Sequence, residues 1–88
     1  EKKNNSEEFY NTWKKSEDEY RLIAEMIELR KQKGISQTQL ARTIGNRQQV
    51  ISRIEKKENS PSLKMFCCIL DSLGYELKIV MFSSFLAF

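Results

Sequence analysis

Two short apolar patterns on either side of one glycine constrain the fold of this 88-residue chain more than any other feature. Residues 37–56 read QTQLARTIGNRQQVISRIEK. Apolar residues recur there at helical spacing before and after Gly45, a residue that tolerates the positive φ of a tight turn. Ala41 is small enough to let two helices cross closely. The residues that would face a common core are Leu40, Ile44, Ile51 and Ile54. We therefore predict two short helices that cross steeply around one core.

This arrangement is that of a helix-turn-helix, in which the second helix enters the major groove of DNA. We predict its two helices at residues 37–44 and 47–56, with Ser36 as the N-cap of the first. The elements expected next are a loop at residues 59–61 and a helix that Ser62 caps and that ends at Leu73-Gly74. These helices would complete the DNA-binding unit.

Two helices are predicted before the motif. The acidic run after Ser16 and apolar residues at helical spacing indicate a helix over residues 16–33, which Gly34 ends. A shorter helix is predicted at residues 6–15, and residues 1–5 are predicted to be disordered. The N-terminal part of the chain should therefore add one short helix to the domain.

The sequence after Gly74 changes from helical to alternating periodicity. Residues 75–81 contain β-branched residues and predict one strand. A lone strand is unstable in water, and the chain offers no second convincing strand. We therefore expect the strand to pair with its own copy in a twofold-related subunit, through Leu77, Ile79 and Met81, which would form a homodimer.

Net positive charge is confined to the middle of the chain. Residues 21–57 contain nine basic and three acidic residues, a net +6, whereas residues 1–20 carry −2 and residues 58–88 carry −1. Such a basic region can dock a polyanion such as nucleic acid, although a solvated helix surface gives the same count.

Composition argues against a metal site or an enzyme. The chain has no histidine, and its two cysteines, Cys67 and Cys68, are adjacent. Adjacent cysteines rarely bridge each other, and two thiolates are too few for structural zinc. We expect them to be reduced residues of a cytoplasmic protein without a cofactor. No acid–base set or signal peptide is visible, and the apolar residues 79–88 are fewer than the roughly 20 that span a bilayer.

The segment GISQTQLARTIGNRQQVISRIE resembles the phage-repressor pattern of the Cro/C1-type (XRE) helix-turn-helix family. The resemblance extends over about residues 22–73. It implies that Gln48, Gln49 and Arg53 look toward base edges, and that Gln37 clamps a phosphate or supports the recognition helix. Side-chain chemistry agrees, because glutamine can pair with adenine in two hydrogen bonds and arginine can do so with guanine.

The resemblance also indicates how the motif is supported. Arg30 and Glu55 match a family pair that forms an internal salt bridge. The family often has glycine where this chain has Lys57, and basic residues where it has Glu58-Asn59-Ser60, so we expect Asn59 to take the left-handed conformation. The remaining predicted DNA contacts are Arg47 at bases or a phosphate, and Arg42, Lys56 and Lys57 at phosphates.

The layout outside the motif is similar to that of antitoxins from type II toxin–antitoxin modules, especially the HigA type. It consists of an acidic N-terminal segment, then EYRLIAEMIELRKQKGISQTQLA, then SPSLKMFCCILDSLGYELKIV. This resemblance implies an autorepressor that also neutralises a RelE/HigB-like ribonuclease toxin. An acidic segment with Phe9, Tyr10 and Trp13 could cover the basic surface of such a toxin. Alternatively, these aromatic side chains pack on the domain's own helices.

The sequence thus predicts a mainly α, Cro/C1-type helix-turn-helix bundle with an added N-terminal helix and one C-terminal strand that pairs across a homodimer. The expected domains are a partner-binding segment (1–20), a DNA-binding domain (21–74) and a dimerisation segment (75–88). The expected partners are operator DNA, a second copy and a toxin. A stand-alone phage-type repressor without a toxin is the alternative. A module that has lost DNA binding fits less well, because Gln48, Gln49 and Arg53 are all present.

Overall fold

The computed structural model describes the backbone of residues 2–80 and the side chains of residues 16–80. The described chain forms four helices, which are α1 (Lys2–Gln32), α2 (Gln37–Thr43), α3 (Gln48–Glu55) and α4 (Leu63–Ser72). Helix α3 packs against α1 and α2, and α4 packs against α2. The predicted helical bundle is therefore confirmed for this part of the chain. No helix described here is both long and apolar enough to cross a membrane.

A single hydrophobic core joins the four helices. The buried apolar residues are Ile23, Met26, Leu40, Ala41, Ile51, Ile54, Phe66, Ile69, Leu70 and Leu73. In α1, α3 and α4 these residues lie mostly three or four positions apart, whereas in α2 Leu40 and Ala41 are adjacent, so each helix buries one side of its surface. Of the four core residues predicted in the motif, three are buried, and Ile44 is half-buried against the same cluster.

The N-terminal helix differs from the prediction. Residues 6–15 and 16–33 were expected to form two helices, but α1 runs without interruption from Lys2 to Gln32. Residues 2–5, predicted to be disordered, also have helical backbone. The sequence before Gly34 contains neither glycine nor proline, and a serine inside a helix costs only about 0.5 kcal/mol relative to alanine. Ser16 therefore lies within the helix instead of capping a new one.

All four helices of residues 2–80 end in the same backbone arrangement. After α2, for example, the N–H of Gly45 donates to the carbonyl of Arg42 at 3.2 Å, and the N–H of Asn46 donates to that of Ala41 at 2.8 Å. This is a Schellman motif, which needs one residue at positive φ. Glycine occupies that position after α1, α2 and α4, with φ between 69° and 89°.

Lys57 takes the glycine position after α3, with a φ of 64°. The prediction that Asn59 would adopt the left-handed conformation is therefore wrong, because the hydrogen bonds that end α3 require it two residues earlier. The left-handed conformation costs a residue with a side chain about 1–2 kcal/mol relative to glycine. The ammonium group of Lys57 lies 5.5 Å from the centre of the Tyr20 ring in α1, and this cation–π contact offsets about 0.5–1 kcal/mol of that cost.

The segment after α4 has no regular secondary structure over residues 75–80, and residues 2–80 include no strand. The ammonium group of Lys33 lies 5.4 Å from the centre of the Tyr75 ring, which holds the start of the segment against the end of α1. Beyond it, Leu77 and Val80 are exposed and Ile79 is fully exposed. A strand exists only through hydrogen bonds to another strand, so pairing between two copies stays a prediction. Met81 lies outside the described residues.

Candidate nucleic-acid interface

The start of α2 is fixed by reciprocal hydrogen bonds. The Ser36 hydroxyl accepts from the backbone N–H of Gln39 at 3.0 Å, and the Ser36 N–H donates to Oε1 of Gln39 at 2.8 Å. This capping box confirms the predicted N-cap and sets where the helix begins. Gln37 is therefore the first residue of α2, close to the start of α3.

Helix α3 has one buried and one exposed face. Ile51 and Ile54 lie in the core, whereas Gln48, Gln49 and Arg53 are exposed. Residues four apart lie on the same side of a helix, and Gln48 is adjacent to Gln49 around the helical surface. The three residues predicted to contact base edges therefore share the solvent-facing side of α3.

A buried ion pair anchors α3 to α1. The Arg30 guanidinium donates from Nε to Oε2 of Glu55 at 2.7 Å and from Nη2 to Oε1 at 2.9 Å. Its Nη1 donates to the carbonyl oxygen of Ile35 at 2.7 Å. The two side chains are 8% and 7% exposed, respectively. The predicted salt bridge is confirmed, and its two-pronged geometry fixes the position of the Glu55 carboxylate.

Two further hydrogen bonds connect this ion pair to Gln48, the first residue of α3. Nε2 of Gln37 donates to Oε1 of Glu55 at 2.8 Å, and Nε2 of Gln48 donates to Oε1 of Gln37 at 2.7 Å. Sequence reasoning missed the contact between Gln37 and Glu55, which lie 18 residues apart. No helical periodicity relates residues at that distance, so only the tertiary structure reveals it.

The predicted basic contacts lie beside the turn between α2 and α3 and at the far end of α3. Arg42 lies in the last turn of α2, Arg47 is the N-cap of α3, and Arg53 and Lys56 lie at the end of α3. All four are exposed, and none forms an ion pair with a carboxylate of residues 16–80. Their charge therefore remains available to attract an anion. Lys57 is also exposed, but its ammonium group contacts Tyr20.

The predicted partner-binding residues lie in the N-terminal half of α1. The backbone of Phe9, Tyr10 and Trp13 belongs to this helix. Their side chains lie outside the described residues, so both interpretations of these aromatic residues stay open.

Comparison with known proteins extends these observations. Residues 26–80 match a family described as helix-turn-helix, a region that contains α2, α3 and α4. An uncharacterized HTH-type transcriptional regulator of Haemophilus influenzae is 46% identical over 59 residues. The aligned part is 67% of this chain, and the chain spans 60% of the length of that relative. No solved structure matches the chain significantly.

Proposed function

Because the chain belongs to the XRE-type helix-turn-helix family of DNA-binding transcriptional regulators, we propose that it is a repressor that binds a symmetric operator as a homodimer. The observation that carries this proposal is the exposed face of α3. Gln48, Gln49 and Arg53 share that face, and their donors and acceptors match those of base edges in the major groove. Because the buried Arg30–Glu55 ion pair anchors α3, this helix can hold the three side chains in a defined orientation.

The residues around α3 position this helix on the DNA. Arg42, Arg47 and Lys56 contact phosphates on either side of the groove, and Gln37 contacts a phosphate next to the start of α3. Lys57 contributes once its ammonium group leaves the ring of Tyr20. Phosphate contacts fix the register of the protein on the duplex but carry no sequence information, so specificity rests on α3.

Two copies of the chain form the repressor. The side chains of Leu77, Ile79 and Val80 are exposed in the single chain, and their burial against a second copy would remove apolar surface from water. Pairing of residues 75–81 across a twofold axis would also satisfy the backbone groups that each strand directs toward the other. A twofold dimer binds a palindrome whose half-sites lie about one helical turn apart.

Selection of duplexes from a random pool tests this function. We expect the wild-type protein to enrich a palindrome, and a Gln48→Ala/Gln49→Ala variant to bind that palindrome at least about 100-fold more weakly, since each lost base contact costs about 1–3 kcal/mol. Gln32→Ala is the matched control, because Gln32 is exposed at the end of α1.

The outcomes of this selection separate the proposals. Circular dichroism must show that each variant is folded. Enrichment of a single half-site would contradict the dimer, and enrichment of no sequence by folded wild-type protein at moderate salt would contradict the repressor.

We also propose that the chain acts as an antitoxin and neutralises a RelE/HigB-like ribonuclease. The length of α1 supports this role. Among residues 16–80, burial of α1 begins at Ile23, yet the helix starts 21 residues earlier, at Lys2. Those residues represent about 30 Å of helix. Residues 1–20, which carry a net charge of −2 and contain three aromatic residues before Asp18, are suited to a basic toxin surface.

Purification from the native host tests the antitoxin role. We expect the chain to copurify with a small basic ribonuclease and to inhibit it. The Phe9→Ala/Tyr10→Ala/Trp13→Ala variant should bind that ribonuclease at least about 100-fold more weakly, because truncation of a single aromatic hot-spot residue costs about 2 kcal/mol or more. Operator affinity of the variant should change less than threefold. An operator-binding chain without such a partner would favour the stand-alone repressor.

A further inference from the structure

We propose that residues 82–88 of each copy of the chain occupy an apolar groove between α1 and α4 of a second copy, so that two copies exchange their C-terminal tails. The tail is the segment FSSFLAF. The inference rests on the proposed homodimer, because it adds to the paired strands a second element of the same interface and the surface that receives it.

The groove between α1 and α4 has two parts, with volumes of about 340 and 200 Å³. Leu22, Phe66 and Leu77 line both parts, so the two form one continuous surface. Leu63, at the start of α4, lines the larger part and is 70% exposed. Contiguous apolar surface that stays in contact with water usually marks an interaction site. The groove is therefore suited to an apolar occupant.

The chemistry of the groove favours an uncharged segment. The charged side chains that line it are all acidic, namely Glu19, Glu25 and Glu76. They would repel an acidic segment such as residues 1–20, which carry −2. The tail has no charged residue, and it contains three phenylalanines and a leucine. Its burial in the groove would remove apolar surface from water on both sides of the contact.

The path of the chain after α4 leads away from its own domain. Lys33 holds Tyr75 at the end of α1, and Leu77 lines the groove. Ile79, in contrast, is fully exposed and Val80 is 74% exposed. Residues 75–82 contain no glycine, proline, asparagine or aspartate, which favour a reversal of the chain. A tail that continues this path leaves its own groove and meets a second copy.

The proposed strand pairing brings the tail to the groove of that second copy. Strands related by a twofold axis perpendicular to them are antiparallel, so pairing centred on Lys78 places residue 82 of one copy opposite Gly74 of the other. Gly74 precedes Tyr75, which lines the groove. The groove follows α1 from Glu19 to Leu29, a length of about 15 Å. Seven extended residues span about 23 Å, so the tail can cover the groove.

The first test measures the dimer dissociation constant by sedimentation equilibrium. The tail variant, Phe82→Ser/Phe85→Ser/Phe88→Ser, removes the aromatic side chains, and Leu63→Glu places a charge in the groove. Each should raise the dissociation constant at least about tenfold, because full burial of one phenylalanine side chain corresponds to about that factor. Lys64→Glu is the matched control, since Lys64 is the next residue of α4, exposed outside the groove. It should change the constant less than about threefold.

A mixture of the two variants distinguishes exchange from a tail that folds back on its own domain. The tail variant has an intact groove, and Leu63→Glu has an intact tail. Exchange therefore restores one contact in the heterodimer and none in either homodimer. Native mass spectrometry of an equal mixture should show mainly heterodimers, whereas random pairing gives half. Random pairing of two weakened variants would mean that each tail binds its own groove, and this would overturn the exchange.

Circular dichroism must show that each variant is folded. Leu63 is exposed in the first turn of α4, where an acidic side chain is favourable, so Leu63→Glu should keep the fold. If it does not, Leu63→Ser takes its place in the mixture. An unchanged dissociation constant in the tail variant would overturn this inference and leave the dimeric repressor intact. A monomeric wild-type chain at millimolar concentration would remove the proposed homodimer, and this inference with it.

Discussion

Replacement of Arg30 with alanine should lower the free energy of unfolding by about 3–5 kcal/mol. The variant leaves the Glu55 carboxylate, 7% exposed, without its cation, and leaves the Ile35 carbonyl without its donor. A domain of this size has a total stability of about 5–15 kcal/mol, so the variant should be partly unfolded at moderate temperature. Urea unfolding followed by circular dichroism measures the change.

An exposed ion pair in the same helix provides the control. Nη1 of Arg21 lies 3.3 Å from Oδ1 of Asp18, and the two side chains are 62% and 61% exposed. Arg21→Ala should change stability by less than about 0.5 kcal/mol, since solvent screens exposed pairs. A loss below about 1 kcal/mol in Arg30→Ala would contradict the anchoring role of the buried pair. Because Arg30→Ala should weaken DNA binding through unfolding, its binding loss alone would not make Arg30 a DNA contact.

Salt should weaken operator binding strongly. We expect the association constant to fall by about 10⁴–10⁵ between roughly 50 and 200 mM salt, as for a dimer that neutralises about eight to ten phosphates. The physical reason is the release of counterions from DNA when lysine and arginine side chains replace them. Arg42→Ala removes one proposed contact per subunit, so the slope of log K against log salt should become less steep by about 2.

The slope is more informative than affinity at a single salt concentration. Arg42 is exposed at the end of α2, so its replacement should leave the fold intact. Arg21→Ala, which removes an exposed arginine already paired with Asp18, should leave the slope unchanged. An Arg42→Ala slope equal to that of wild type would show that Arg42 is not a phosphate contact, whatever its effect on affinity.

Sequence reasoning succeeded where structure is determined locally. Ser36 and Ser62 cap the helices that follow them, and Gly45 takes the positive φ that the turn before α3 requires. Such features depend on residues within one helical turn, so they can be read without the fold. Core residues such as Leu40 and Ile51 were also predictable, since helical periodicity places them on one face.

The predictions were wrong or untested where the local sequence is compatible with more than one backbone conformation. Ser16 resembles a helix N-cap but lies inside α1, because no glycine or proline stops the preceding helix. Asn59 tolerates the left-handed conformation better than Lys57, yet Lys57 adopts it, because the end of α3 fixes which residue must turn. For residues 75–81, the alternating pattern predicts a strand, but strand pairing depends on a second chain.

Residue types at short spacing were enough to predict the caps and the turn of the motif and the apolar face of each core helix, and the resemblance to a known family added the Arg30–Glu55 pair. The fold shows in addition that Gln37 and Gln48 extend this pair. The four side chains form one chain of hydrogen bonds across α1, α2 and α3. No short-range rule relates these residues, because the packing of three helices on one core brings them together.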